Sequence, residues 1–316
     1  MVTSAKLKRM EQKLNQEPYF KDSCVCAIGV FDGLHLGHQA LLEAAAEDAA
    51  SRGDKLVVVT FDHDPDELFC PDLVHKLLTN AERLGKLEEQ ADDVLALPFT
   101  RELASLEYDV FLDYLLGLLP GLKAIHVGTN FHCGAHASGG IPEITAWGLA
   151  HEISVVAEPL LDYEGEAVSA SRIRALLAAG DVKTAAILLT RSFALTGEVI
   201  HGDGRGRSLG FATANVEVDG SLAMLGPYVY AAYALLAGKR YKAAVSIGEP
   251  PTYSPADQEF NPFFFEAHLL DFDEELYNQQ LTLEFIENLR PMRKFDNQEE
   301  LIATVMGNIN WVRENL

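Results

Sequence analysis

Two histidines stand three residues apart inside a glycine-rich run, Gly29-Val30-Phe31-Asp32-Gly33-Leu34-His35-Leu36-Gly37-His38. An apolar stretch at 24–31 reads as a strand, and residues 39–50 carry a helical pattern, so the run joins a strand to a helix. A helix N-terminus offers unpaired backbone N–H groups and the positive end of the helix dipole, which suits phosphate. Gly29, Gly33 and Gly37 let the backbone approach an anion closely. With a helical turn, His35 and His38 both face one ligand. Phosphoryl and nucleotidyl transfer need donors aimed at the charge that builds on phosphorus oxygens, and two imidazoles at a helix end provide them. A bare His-x-Gly-His is also the pattern of two ordinary loop histidines. Its place between strand and helix argues for phosphate.

A second concentration of chemistry lies at His201-Gly202-Asp203-Gly204-Arg205-Gly206-Arg207-Ser208-Leu209-Gly210-Phe211. This loop is neither a P-loop nor a G-x-G-x-x-G fingerprint. Its flexible backbone donors and its two cations, Arg205 and Arg207, still suit an anion cradle in an acidic protein. A long surface hairpin is the alternative. Thr213-Ala214-Asn215 follows at once. Glu266 sits within Phe263-Phe264-Phe265-Glu266-Ala267-His268-Leu269-Leu270-Asp271-Phe272. A carboxylate in so apolar a strand is costly unless it is exposed or has chemical work to do.

The composition limits the partners. The chain has 316 residues, 48% of them hydrophobic, which suits two domains rather than one core. A formal net charge of −22 repels a nucleic-acid backbone, so DNA and RNA are not expected partners. No apolar run is long enough for a membrane span. The first residues lack the apolar core of a signal peptide, and a cytoplasmic location is expected. Cys24, Cys26, Cys70 and Cys133 follow no zinc spacing and read as reduced thiols. The composition leaves homo-oligomerisation open.

The elements that must position these residues fall into two groups. Strands are expected at 24–31, 55–61, 94–98, 123–128 and 153–157, with helices at 39–50, 80–90 and 107–119 between them. Such alternation implies a parallel sheet that binds ligands at the carboxyl ends of its strands. Two short helices follow at 170–179 and 182–189. Beyond about residue 191 the helices give way to strands at 193–200, 228–236, 241–247, 263–272 and 281–287, with a hairpin turn at Ala237-Gly238-Lys239. This spacing suggests a small antiparallel barrel, closed by a terminal helix over 297–315. The expected fold is therefore a Rossmann-like α/β domain at 1–188 and a β-barrel domain at 189–316.

The first run resembles the H-x-G-H motif of the nucleotidylyltransferase superfamily, and as F-D-G-x-H-x-G-H it is similar to the bifunctional riboflavin kinase/FAD synthetase family of bacteria. Further segments fit in order. Thr60-Phe61-Asp62 with Pro65, Leu78–Arg83, 97–100, 127–131 and 168–174 resemble that family's first domain. Residues 202–215 resemble its kinase signature G-x-x-x-G-R-x-L-G-F-P-T-A-N. Ser246-Ile247-Gly248 with Pro251-Thr252-Tyr253, and Leu289-Arg290 with Lys294-Phe295, fit its later segments. The resemblance implies that His35 and His38 contact ATP phosphates, with Gly29, Phe31, Asp32, Gly33 and Gly37 around them. It also implies that Asn130 holds substrate and that Ser169, Ser171 and Arg174 bind phosphate. In the second domain it implies ATP and flavin contacts from Gly202, Gly204, Arg205, Gly206, Arg207, Gly210 and Arg290. Thr213 and Asn215 would hold Mg²⁺, and Glu266 would be the general base. Riboflavin, FMN, FAD and ATP are the implied partners.

The chain departs from the pattern at Ala170, which replaces a hydroxyl residue, at His132-Cys133, at Ala212, which replaces proline, and at Met292, which replaces an acid. Two other readings follow. One is a riboflavin kinase with an altered adenylyltransferase. The other is a flavin or nucleotide sensor without turnover.

Overall fold

The computed structural model describes residues 17–70, 75–201, 211–248 and 264–316. Gly202, Gly204, Arg205, Gly206, Arg207 and Gly210 therefore lie outside the described residues. The chain divides into two compact units, Met1–Val74 with Leu78–Val168, and His75–Leu77 with Ser169–Leu316.

The first unit is built on five parallel strands: β1 (Cys24–Ile28), β2 (Lys55–Phe61), β3 (Asp93–Leu97), β4 (Leu122–Gly128) and β5 (Ser154–Glu158). Their order is β3-β2-β1-β4-β5, so the sheet reverses direction of growth between β1 and β4. In sheets of this kind the crevice at that reversal receives the ligand. Helices α1 (Leu36–Arg52), α2 (Pro65–Phe69), α3 (Asn80–Glu88), α4 (Arg101–Ala104), α5 (Tyr108–Leu118) and α6 (Ile141–Ala150) lie along the connections.

The apolar runs of the strands are continuous because both faces of the sheet are covered. Cys24, Cys26 and Ile28 pack with Val57, Val59, Phe111, Leu112, Leu115, Ile144 and Trp147 on one face. Val25 and Ala27 pack with Val58, Leu41, Leu42, Ala45 and Ala49 of α1 on the other. Burial pushes the Cys24 thiol up to about 11 and the Cys26 thiol well above its usual range, so both are inert core residues.

Two of the boundaries that differ from the sequence expectation shape the histidine turn. The strand expected through residue 31 ends at Ile28, because Phe31 adopts left-handed backbone (φ 60°) and turns the chain. The helix expected from 39 begins at Leu36, which puts His38 in its first turn. The short pair β6 (Asp162–Tyr163) and β7 (Glu166–Ala167) closes the first unit.

In the second unit α7 (Ala170–Ala178) and α8 (Val182–Leu189) precede six antiparallel strands: β8 (Phe193–Ile200), β9 (Ala214–Val218), β10 (Tyr228–Leu236), β11 (Lys239–Gly248), β12 (Phe264–Leu269) and β13 (Gln280–Pro291). They close as β10-β11-β12-β9-β8-β13, which leaves no free sheet edge. Alternation fills the barrel: Phe193, Leu195 and Val199 of β8 are buried while Ala194, Thr196 and Glu198 between them are exposed. The C-terminal helix α9 (Gln298–Asn315) lays Ile309 and Val312 against Phe211, Ala231, Ala244 and Leu270. The hairpin turn uses Ala237 and Gly238, both at positive φ as a two-residue turn of this hand demands.

Candidate active sites

The first site stands at the carboxyl end of β1. The chain leaves β1 through left-handed Phe31, Gly33 (φ 73°) and Leu34 (φ 40°). It enters α1 at His35, the N-cap residue, whose Nδ1 accepts from the His38 backbone N–H at 3.3 Å. The imidazoles of His35 and His38 stack, with centroids 3.6 Å apart and planes 14° from parallel. Phe31 sets its ring edge to face with His38 at 5.3 Å. Two glycines of the motif stand in close contact with its rings. A Cβ on Gly29 would stand 3.1 Å from the Phe31 ring, and one on Gly37 would stand 3.3 Å from the His35 ring.

Burial controls the charge of this pair. His35 is 6% exposed, and burial lowers its pKa to about 4. Burial first, and His35 beside it second, hold His38 well below the usual imidazole range. Both rings are therefore neutral near pH 7, and each carries one N–H to offer an anion. His38 Nδ1 is buried with no hydrogen-bond partner among the described residues. Asp32 and Phe31 are buried in the same turn.

Asn130 lies just past the carboxyl end of β4, the strand beside β1, so it flanks the same crevice. It is exposed, and its carbonyl accepts from His132 Nδ1 at 3.0 Å. Cys133 keeps this loop closed through paired backbone bonds with Gly139. Ser169, Ser171 and Arg174 belong to the second unit, at the start of α7. There Ser169 caps the helix by accepting from the Arg172 N–H, and Arg174 Nη2 donates to Ser171 Oγ at 3.2 Å.

The second site is a row of side chains crossing the barrel wall. In register the row reads Arg290 of β13, Val229 of β10, Ser246 of β11, Glu266 of β12, Asn215 of β9 and Ile200 of β8. Residues directly opposite in antiparallel strands share a face, with Cβ atoms about 4.5–5.5 Å apart. Phe265 and Ala267 are buried on either side of half-buried Glu266 and face the barrel interior. The Glu266 row therefore faces outward. Asn215 is 7% exposed, and its Oδ1 is buried without a hydrogen-bond partner among the described residues. Thr213 stands immediately before β9 and is half-buried. The segment before it is tied to β12, because His268 Nδ1 donates to the Ala212 carbonyl at 2.8 Å. Arg290 rests over the Phe295 ring, 5.6 Å from its centroid.

Residues 17–172 match the family model for FAD synthetase, and residues 189–316 match that for riboflavin kinase. A bifunctional riboflavin kinase/FMN adenylyltransferase of Pseudomonas fluorescens is 33% identical over 287 residues, spanning 90% of this chain and 91% of that one. The chain belongs to the bifunctional riboflavin kinase/FMN adenylyltransferase family. Members named in the same way from Bacillus subtilis (34% identical, 89% of each chain) and Escherichia coli (32%, 95% of this chain and 94% of that one) match as well. A solved structure described as a macrolide-efflux protein of Streptococcus pneumoniae superposes with a TM-score of 0.82, at 28% identity, over 93% of this chain and 95% of that one. Among the described residues here, no helix is long and apolar enough to cross a membrane.

As a family member the protein is a transferase with two ATP-dependent activities. It phosphorylates riboflavin to FMN and adenylylates FMN to FAD, releasing pyrophosphate. Several structural features around its sites escaped the sequence reading. Phe61 at the end of β2 packs edge to face with Phe99 past β3 at 4.9 Å, and Phe69 reaches Phe99 at 6.3 Å. These rings make an aromatic shelf at the carboxyl side of the sheet. His126 of β4, 3% exposed, lies between Asp48 of α1 (3.1 Å) and Glu158 of β5 (3.0 Å), and so ties the first helix to the sheet. Sequence spacing carries no signal for such a tie, because its members are 78 and 32 residues apart.

Proposed function

We propose that the two reactions occupy separate sites: adenylyl transfer at the His35–His38 turn in a domain spanning 1–188, riboflavin phosphorylation at the Glu266 row in a domain spanning 189–316. The observation that supports this is one the two sites share. Each buries a polar atom that has no hydrogen-bond partner among the described residues, His38 Nδ1 in one and Asn215 Oδ1 in the other. A buried unsatisfied polar atom costs about 1–3 kcal/mol, a cost that a bound ligand removes.

At the first site, an oxygen of the FMN phosphate attacks the α-phosphorus of ATP and pyrophosphate leaves. The backbone N–H groups that open α1, and the neutral imidazoles of His35 and His38, donate to the phosphorus oxygens where negative charge builds. Gly29, Phe31, Asp32, Gly33 and Gly37 shape the turn around them. Asn130 holds substrate across the crevice, and the shelf of Phe61 and Phe99 offers ring faces to a flavin.

At the second site, the terminal ribityl hydroxyl attacks the γ-phosphorus of ATP and ADP leaves. Glu266 takes the hydroxyl proton. Asn215 Oδ1 and the Thr213 hydroxyl fit Mg²⁺, which takes oxygen donors and keeps phosphate and water as its other ligands. When bound, the ion offsets charge on the ATP phosphates. Arg205 and Arg207, which lie outside the described residues, supply positive charge to the phosphates, and Arg290 at the end of the row serves the flavin side.

The net charge of −22 argues against nucleic acid as a ligand, so nucleotide phosphates bind where local donors override the overall field. The test is direct. Riboflavin and Mg-ATP are given to the protein, and FMN and FAD are separated with time. FMN followed by FAD is expected. FMN alone would indicate an altered adenylyltransferase, and unchanged riboflavin a sensor.

A further inference from the structure

The most deeply buried charge in the first unit touches neither histidine. Arg83, on the first turn of α3, is 2% exposed. Its guanidinium donates from Nη1 to the Val30 carbonyl at 2.9 Å and to Thr60 Oγ1 at 2.7 Å, and from Nη2 to the Phe61 carbonyl at 2.7 Å. Thr60, itself fully buried, donates to the same Val30 carbonyl at 3.3 Å. These oxygens lie where β1 and β2 part. Val30 is past the end of β1 and directly before left-handed Phe31, the residue that starts the His35–His38 turn. Phe61 is the last residue of β2 and carries the aromatic shelf.

All three bonds go to uncharged oxygens, although Asp64, Asp32, Glu67 and Asp62 lie within electrostatic reach. Burying a guanidinium this way costs several kcal/mol unless each donor is well placed. A methionine or leucine would fill the same space at lower cost. The position is instead occupied by the side chain whose planar fork can bond two diverging strands at once.

We infer that Arg83 is a positioning residue for adenylyl transfer: it fixes the Val30 and Phe61 carbonyls, and through them holds the histidine turn and the aromatic shelf in one geometry. It touches no substrate. It acts on where Phe31, Gly33 and His35 stand. This inference rests on the assignment of adenylyl transfer to the His35–His38 turn.

Arg83→Lys keeps the charge and the stem but replaces the fork with one ammonium, which cannot reach all three oxygens. Thr60→Val keeps the shape and removes the shared hydroxyl. Both are assayed in the full chain for FAD formation from supplied FMN and for riboflavin phosphorylation in the same preparation, with His38→Ala alongside. Arg83→Lys is expected to lower kcat for FAD formation about 10- to 100-fold, the scale set by misplacing reacting groups by about 1 Å. The KM for ATP should move less than kcat, and FMN formation should stay at the parent level. A loss confined to kcat at one of two sites in one molecule is not what general destabilisation produces. A folded Arg83→Lys that forms FAD at the parent rate overturns the inference. So does a parallel fall in FMN formation. If Arg83→Lys does not fold, Thr60→Val decides by the same two criteria. If His38→Ala still makes FAD, the assignment of the site fails instead, and the two failures are distinguishable.

Discussion

Glu266 of β12 and Asn215 of β9 lie directly opposite each other in antiparallel register, on the outward face of the barrel, with Ser246 of β11 directly opposite Glu266 on the other side. The pairing sets a carboxylate beside a buried amide oxygen that has no hydrogen-bond partner among the described residues. It brings together residues 51 apart in sequence. Two side chains held on neighbouring strands of a closed barrel keep their spacing, as the proposed base and metal donor would need.

This pairing predicts the behaviour of Glu266→Gln. Glutamine keeps the size and one acceptor but cannot take a proton. Kinase turnover should fall by about 10²–10⁴-fold, the usual contribution of a general base. Contacts to the rest of the flavin are unchanged, so the loss should appear in kcat rather than in KM. FAD formation from supplied FMN should continue. Riboflavin phosphorylation at the parent rate would make Glu266 a structural strand residue.

The histidine pair predicts a pH dependence of stability. The folded-state pKa of His35 is about 4 against 6.5 for a free imidazole, and that of His38 also lies well below 6.5, in both cases chiefly by burial. Between those values the unfolded chain binds more protons than the folded one, so stability falls as pH drops from about 6.5 toward 4. Above pH 6.5 these groups add no pH dependence. His35→Gln should flatten the pH dependence of thermal unfolding across that window relative to the parent, which cancels the carboxylate titrations common to both. An unchanged slope would mean that His35 is not buried as a neutral ring.

Packing predicts where the kinase unit can be cut. Helix α7 buries Ile173 and Leu177, and α8 buries Val182, Ala185, Leu188 and Leu189, with α8 against β8 and β13. A fully buried Leu, Ile or Val side chain contributes about 1.5–3 kcal/mol. A fragment of residues 169–316 should therefore melt at least about 4 °C above one of residues 189–316. Calorimetry of the two fragments checks this. Equal melting temperatures would place both helices outside the folding unit of the barrel.

The parallel sheet was legible because its strands are runs such as Leu56-Val57-Val58-Val59, apolar on both faces, separated by helical periodicity. The barrel was legible from the density of strands after residue 191 and from Ala237-Gly238. Strand β9 was not, since Ala-Asn-Val-Glu-Val is short, carries Asn215 and Glu217, and follows a glycine loop. Helix α6 was missed for a related reason: Ile141-Pro142 opens it, and proline reads as a break although it sits well in a first helical turn. The histidines, Asn215 and Glu266 stood out as residue types in an improbable setting. Arg83 did not, because one arginine near a helix start looks solvated in sequence, and only the fold shows it 2% exposed between two strand ends.

The proposed division places adenylyl transfer at the His35–His38 turn of one unit and phosphorylation at the Glu266 row of the other. It is tested most directly by giving His38→Ala riboflavin and Mg-ATP and measuring FMN and FAD together. His38 is half-buried in the first unit, stacked on His35 at the opening of α1, while Glu266, Thr213 and Asn215 belong to the second. Loss of a donor aimed at the reacting phosphorus should lower FAD formation by about 10²–10³-fold. FMN should therefore accumulate at close to the parent rate. A folded His38→Ala that loses both products together, or that still converts FMN to FAD at the parent rate, would contradict the account.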